Sequence, residues 1–138
     1  MIYQKILEAE PDNAVALNNL AWLASFDTKR AAEALGLAKR SIEQAGPLPD
    51  LLDTHGLIYL NLSQAPEAIA ILKAAVDDFP TPTLWFHLAL AYELANEHED
   101  ALKSRDQARA TGFRTGSIMQ IERVAFKTLL ERLELDDK

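Results

Sequence analysis

The sequence predicts an all-α fold built from repeated antiparallel helix pairs. Apolar residues recur at helical spacing along most of the chain, and small residues return at the same place about every 34 residues. Most of the six prolines and five glycines fall between these periodic segments, where they end helices. With 138 residues, of which 49% are hydrophobic and 25% charged, the chain fits a single domain spanning 1–138.

The repeat appears when the chain is aligned with itself. The middle copy reads Leu52-x2-His55-Gly56-x2-Tyr59, followed by Ala68-x3-Leu72, Ala75 and Pro80. The third copy reads Trp85-x2-Leu88-Ala89-x2-Tyr92, followed by Ala101-x3-Arg105 and Ala108. The first copy reads Leu17-x2-Leu20-Ala21-x2-Ala24, followed by Ala34-x3-Ala38 and Ser41, with one extra residue in its internal turn.

These residues resemble the tetratricopeptide repeat (TPR), whose pattern is W-x2-L-G-x2-Y, then A-x3-F, then P. The middle copy matches best, the third lacks the glycine and phenylalanine, and the first lacks most of the aromatic residues. The resemblance implies a TPR-type α-α superhelix, in which each repeat has an A helix followed by a B helix and the A helices line the concave side.

Gly56 lies in the middle of a predicted A helix, where glycine costs about 1 kcal/mol relative to alanine. Ala21 and Ala89 hold the same position in the other two repeats. We expect these small residues to let the A helix approach its B helix closely, opposite Ala34, Ala68 and Ala101.

The elements follow in order along the chain. We predict A helices over 13–25, 50–62 and 82–95, and B helices over 29–44, 66–78 and 98–111. Pro66 begins a helix, whereas Gly46-Pro47 and Phe79-Pro80 follow helix ends. The repeats therefore cover 13–46, 49–80 and 82–112.

Each end adds a partial element. Residues 1–10 resemble the B helix of a preceding repeat, which suggests a piece of a longer array, and the alternative is an N-terminal capping helix. Residues 115–135 predict a C-terminal capping helix. Its inner face should hold Ile118, Ile121, Ala125, Leu129 and Leu133, with Glu122 on the opposite face.

The predicted concave side offers a groove for a partner peptide. Its candidate contacts are Asn18, Trp22, Asp53, Leu57, Phe86, Leu90 and Glu93. Twelve groove positions include three acids (Asp50, Asp53 and Glu93) and no Lys or Arg, so we expect a partner with apolar and basic residues. In the alternative interpretation, Trp22 and Phe86 pack against neighbouring A helices and the acids serve helix stability. Some TPR proteins use Lys, Arg and Asn side chains along this groove to bind the C-terminal carboxylate of heat-shock chaperones. At the aligned positions this sequence has only Asn18, so that class of ligand is disfavoured.

Composition excludes several other functions. Fourteen basic residues against 21 acidic ones give a net charge of −7, which argues against nucleic-acid binding and anionic membranes. No cysteine is present, and no apolar run approaches the length of a membrane span.

Catalytic and metal sites are also poorly supported. The three histidines are His55, expected half-buried between helices, His87, with no evident carboxylate partner, and His98, in "NEHED". One imidazole with flexible carboxylates makes a poor zinc site. We therefore expect no enzyme activity, cofactor or metal.

The sequence thus predicts a non-catalytic protein-interaction scaffold. The alternative is self-association, as a weak homodimer, through a repeat edge around Ile2, Ile6 and Leu7. The stretches "PDNAVALNNLAWLA" and "LPDLLDTHGLIYL" also resemble the last repeats of large bacterial TPR proteins of exopolysaccharide export and PEP-CTERM protein sorting. The sequence does not distinguish cytoplasm from periplasm.

Overall fold

The structure is a computed structural model that describes residues 2–135, apart from the side chain of Thr28. Within that range the chain forms α-helices and two short 3-10 turns, Thr28–Arg30 and Thr115–Ser117, and no strand. The helices are α1 (Ile2–Ala9), α2 (Ala14–Ser25), α3 (Ala31–Ala45), α4 (Pro49–Asn61), α5 (Ala65–Asp78), α6 (Pro82–Leu94), α7 (His98–Ala110), α8 (Gln120–Ala125) and α9 (Lys127–Arg132). The predicted all-α fold is confirmed.

Three helix pairs form the body of the molecule. The most extensive contacts join α2 to α3, α4 to α5 and α6 to α7, which are the A and B helices of repeats 1, 2 and 3. Each A helix also contacts the next A helix, and each B helix contacts the A helix of the following repeat. The pairs therefore stack in chain order, as a superhelix requires.

Local sequence explains where the A helices begin. The Asn13 side chain accepts a hydrogen bond from the backbone N–H of Ala16 at 3.0 Å, and Thr81 accepts one from Leu84 at 3.2 Å. Pro49 and Pro82 occupy first-turn positions of α4 and α6, where a missing N–H costs no helical hydrogen bond.

The turns between A and B helices differ among the repeats. In repeats 2 and 3, α4 and α6 are followed by Ser63 (φ 57°) and Asn96 (φ 62°) in the left-handed conformation. Repeat 1 uses the 3-10 turn instead, capped by the Asp27 side chain on the N–H of Lys29. The extra residue of repeat 1 therefore lies in a different kind of turn.

Gly56 lies at a close helix contact, but its neighbour is not the one expected. A Cβ at Gly56 would lie 2.5 Å from both Cγ and Cδ2 of Leu72. Ala68, the predicted partner, is fully buried one turn earlier on the same helix, and Leu72 supplies all the nearest atoms. The glycine therefore makes room for a larger residue on the B helix.

The C-terminal segment, defined here as residues 113–135, differs most from the prediction. The single capping helix expected over 115–135 is two short helices, α8 and α9, which meet at Phe126 (φ −117°, ψ 25°). The predicted inner face is partly wrong. Ile118 and Leu133 are buried and Leu129 is partly buried, as predicted, but Ile121 is 38% exposed and Ala125 is exposed, whereas Glu122 is buried. The buried residues are Ile118, Glu122, Phe126, Leu130, Leu133 and Leu135.

The N-terminal helix packs on repeat 1. Tyr3 and Leu7 of α1 contact the apolar cluster formed by α2, α3 and Ile58 of α4, while Ile2 is 67% exposed. A second and larger cluster unites repeats 2 and 3 with the C-terminal segment. Among the helices of the described residues, none combines the length and the apolar character needed to cross a membrane.

Candidate functional site: the concave face

The concave face is the surface lined by the A helices α2, α4 and α6, and α8 lies across it. Glu122 of α8 contacts His87 of α6, and His87 contacts Asp53 of α4. Phe26, which ends α2, lines one groove together with Gln120, Ile121, Val124 and Ala125. The short helix α8 therefore contacts α6 directly, is linked to α4 through His87, and shares a groove with the end of α2.

Four of the predicted groove residues are buried. Leu57, Phe86, Leu90 and Glu93 each expose less than a twentieth of their surface. The first three belong to the apolar cluster that includes Ile118, Phe126 and Leu130 of the C-terminal segment. The Phe86 ring also stacks on Phe113, with centroids 4.5 Å apart and planes at 19°. These residues contact their own chain, and contact with a partner remains a prediction.

Three predicted groove residues keep part of their surface exposed: Asn18, Trp22 and Asp53. The Trp22 ring meets Phe26 edge to face, with centroids 5.3 Å apart. The Oδ1 atom of Asn18 is buried and accepts no hydrogen bond from the described residues. Asn18, Trp22 and Phe26 lie in repeat 1, so the accessible part of the concave face is concentrated there.

His87 is the most strongly perturbed titratable group. Its Nδ1 lies 2.6 Å from Oδ1 of Asp53, its Nε2 contacts Oε1 of Glu122, and its side chain is almost completely buried. Burial alone would disfavour the charged ring, but the charges and hydrogen bonds of Asp53 and Glu122 outweigh it and raise the pKa of His87 to about 10. The imidazolium therefore donates one hydrogen bond to each carboxylate.

The expectation that His87 lacks a carboxylate partner is therefore wrong. Asp53 and His87 are 34 residues apart, about one repeat, so stacking of α4 on α6 brings them together. That spacing was visible in the sequence and could have suggested the pair. Glu122 gave no such signal, because an acid in an amphipathic helix is ordinarily placed on the solvent side.

The remaining histidines have local partners. Nδ1 of His98 lies 2.8 Å from Oε2 of the buried Glu93, while His98 itself is exposed. His55 is half-buried, as expected, and stacks on Tyr59 with centroids 5.2 Å apart. Burial, with the charge of Lys39 adding to it, lowers the pKa of His55.

The carboxylates around His87 do not form a metal site. Asp53 and Glu122 contact opposite nitrogens of one ring, so the three groups do not converge on one point. Within residues 2–135, no three acidic or histidine side chains are grouped to hold a metal ion.

Two smaller cavities lie elsewhere. One of about 200 Å³ lies among α5, α6 and α7 beside Trp85 and Tyr92, and Trp85 Nε1 is buried without a hydrogen-bond partner in the described residues. Another of about 150 Å³ adjoins Asp50 and Asp53 at the start of α4. The apolar groove beside Phe26 is larger than either, at about 460 Å³.

Comparisons with known proteins agree with this architecture. Two sequence models described as "Tetratricopeptide repeat" match residues 54–112 and 2–36. A solved structure titled "Crystal structure of MamA" superposes with a TM-score of 0.67, covering 97% of this chain and 82% of that chain. The two sequences are 18% identical, so this similarity concerns the fold. The curated proteins include no match.

Proposed function

Because the chain belongs to the tetratricopeptide repeat family, whose concave surfaces bind protein partners, we propose that it is a non-catalytic scaffold that binds a helical segment of a partner protein. The observation that supports this most is the C-terminal segment itself. Ile118, Phe126 and Leu130, which lie on either side of α8, belong to the apolar cluster of repeats 2 and 3. Glu122 of α8 forms an ion pair with His87.

The open part of this surface is the groove beside Phe26. Val124, which lines it, is 72% exposed, and Ile121 is also exposed. Exposed apolar side chains grouped in a concave surface are typical of peptide-binding sites. Trp22 packs against Phe26 and extends the apolar surface along repeat 1. The predicted apolar character of the partner is therefore retained in this proposal.

The predicted basic character of the partner has less support. It rested on Asp50, Asp53 and Glu93, but Asp53 is paired with His87 and Glu93 with His98. Asp50 is the one of these three for which the described residues provide no ion pair. Two of these three acids are therefore engaged by histidines of the same chain.

A capture experiment tests the proposed function. The chain is immobilised and exposed to a lysate, and the bound proteins are compared with those retained by the Phe26→Ala and Val124→Asp variants. Both changes should lower specific capture about tenfold or more, as expected for central apolar contacts. Ala74→Asp, at an exposed position of α5 away from this groove, is the matched control. Unchanged capture by both groove variants would contradict the proposal.

Self-association remains the second candidate, supported by the exposure of Ile2 on α1. Light scattering over a range of concentrations should then show a mass increase that Ile2→Asp abolishes. A monomer at every concentration would remove this candidate. The resemblance to PEP-CTERM-type bacterial proteins stays a prediction.

A further inference from the structure

The repeats present a carboxylate-binding group on the concave face. Asp53 of repeat 2 holds Nδ1 of His87, which belongs to repeat 3, at 2.6 Å. With Nδ1 occupied, the ring can offer only its Nε2–H to another acceptor, and this N–H points to the C-terminal segment. The donor is therefore positioned by residues of the repeats, without any contribution from the segment that it contacts.

The segment that occupies this surface has an unusual buried stripe. Ile118, Glu122, Phe126 and Leu130 recur every four residues, and all four are buried. The backbone N–H of Phe126 donates to the carbonyl of Glu122 at 2.8 Å, and that of Leu130 donates to the carbonyl of Phe126 at 2.9 Å, so the helical spacing continues through the break. A carboxylate in an otherwise apolar stripe costs free energy unless it is paired. His87 supplies that partner, so the surface matches one acid among apolar side chains.

The C-terminal segment depends on its contacts with the repeats for stability. Helices α8 and α9 have six residues each, and helices this short are marginal in water without tertiary contacts. Met119, which precedes α8, and Val124 are exposed, so residues 2–135 leave the outer side of α8 uncovered. The repeats have helix pairs of their own, so we expect them to remain folded when a similar helix replaces this segment.

We infer that the concave face of repeats 2 and 3 recognises an amphipathic helix of a partner protein whose apolar face carries a single carboxylate. The C-terminal segment occupies that surface in the free chain as an intramolecular equivalent of the partner. This inference rests on the proposed function and adds a second site for the partner. A helix bound here replaces the C-terminal segment, whereas the groove beside Phe26 is lined by that segment. It reverses the basic character expected from the sequence.

A peptide-binding experiment on the full chain tests the inference. The Glu122→Gln, Phe126→Ala double variant should loosen the C-terminal segment, and it changes no residue of the repeats. A fluorescein-labelled peptide with the sequence of residues 113–135 is titrated with this variant and followed by anisotropy. We expect saturable binding, and about tenfold weaker binding of the same peptide carrying Glu122→Gln, because a charge-assisted hydrogen bond is lost. Wild-type chain should bind the native peptide about tenfold more weakly, since its own segment competes.

The controls separate the possible results. A peptide carrying Glu131→Gln, at an exposed position of α9, should bind like the native peptide. Circular dichroism establishes that the double variant is folded, and the single Glu122→Gln chain replaces it if it is not.

Equal binding of the native and Glu122→Gln peptides would overturn the acid preference and leave the proposed function standing. If no peptide binds a folded chain, the inference fails entirely, and the capture experiment then judges the proposed function by itself.

Discussion

At the scale of single residues, the contact of Gly56 with Leu72 shows how one helix pair compensates for the size of its side chains. By the repeat alignment, the same pair of positions holds Ala21 with Ala38 in repeat 1. Ala21, Ala38, Gly56 and Leu72 are all buried. In repeat 2, the larger side chain on the B helix is therefore matched by a smaller residue on the A helix.

Gly56→Ala should destabilise the fold. The added methyl group would lie 2.5 Å from Leu72, and such overpacking costs about 1–3 kcal/mol, more than the helix-propensity gain of about 1 kcal/mol. Urea unfolding of the variant and of the wild type measures the change in the free energy of unfolding. Gly36→Ala is the control, because nothing lies within 4 Å of its Cβ, and it should stabilise by up to about 1 kcal/mol.

A second substitution tests the pairing itself. Leu72→Ala alone should cost about 2–5 kcal/mol because it leaves a cavity. Combined with Gly56→Ala it recreates the Ala–Ala pair of repeat 1, so the double variant should be more stable than the sum of the single effects predicts. Simple additivity would show that the two residues do not share this contact.

His87 gives the chain a pH dependence with a definite sign. The pKa of His87 in the folded state is about 10, above the usual 6.5. The stabilisation that its protonated ring gives the fold is therefore complete below pH 6.5 and is lost as the pH rises through about 10. Stability should fall across this window by at most about 1.4 kcal/mol per pH unit for one proton. Urea unfolding at several pH values, compared with the same series for His87→Gln, isolates this contribution. Parallel slopes for the two chains would refute the buried ion pair.

At the scale of elements, the A-to-B turns of repeats 2 and 3 each contain a non-glycine residue in the unfavourable left-handed conformation. The N–H of Gln64 donates to the carbonyl of Tyr59, and that of Glu97 to Tyr92, each at 2.9 Å. This pattern is the helix-ending motif that normally places glycine in the left-handed position. Here Ser63 and Asn96 occupy it.

Ser63→Gly should therefore stabilise the chain by about 1 kcal/mol, because glycine avoids the left-handed penalty. Asn96→Gly should gain less, since asparagine tolerates that conformation better. Thermal unfolding of the two variants compares these gains directly. An equal or larger gain at Asn96 would contradict the explanation.

The elements also show what the sequence could predict. The helix pairs follow from apolar periodicity and from small residues such as Ala34, Ala68 and Ala101, which are fully buried. The orientation of α8 did not follow. A charged residue normally marks the solvent side of a helix, and the group that makes Glu122 an inner residue is His87, 35 residues earlier. Local patterns do not contain such a partner.

At the scale of the whole molecule, the C-terminal segment changes which part of the concave face is accessible. The segment shares an apolar cluster with repeats 2 and 3, and Nη1 of Arg105 on α7 donates to the carbonyl of Leu133 at 2.8 Å. The apolar groove beside Phe26 remains open. Our account of partner binding depends on this placement of the segment.

A distance measurement between α2 and α8 tests that placement most directly. Because the chain has no cysteine, Leu23→Cys and Val124→Cys can carry two spin labels without further changes, and both positions are exposed. Pulsed electron paramagnetic resonance should give one narrow population of short distances, since Phe26 and Val124 line the same groove. A long or broad distribution would show that the segment does not lie across the concave face, and would contradict the account.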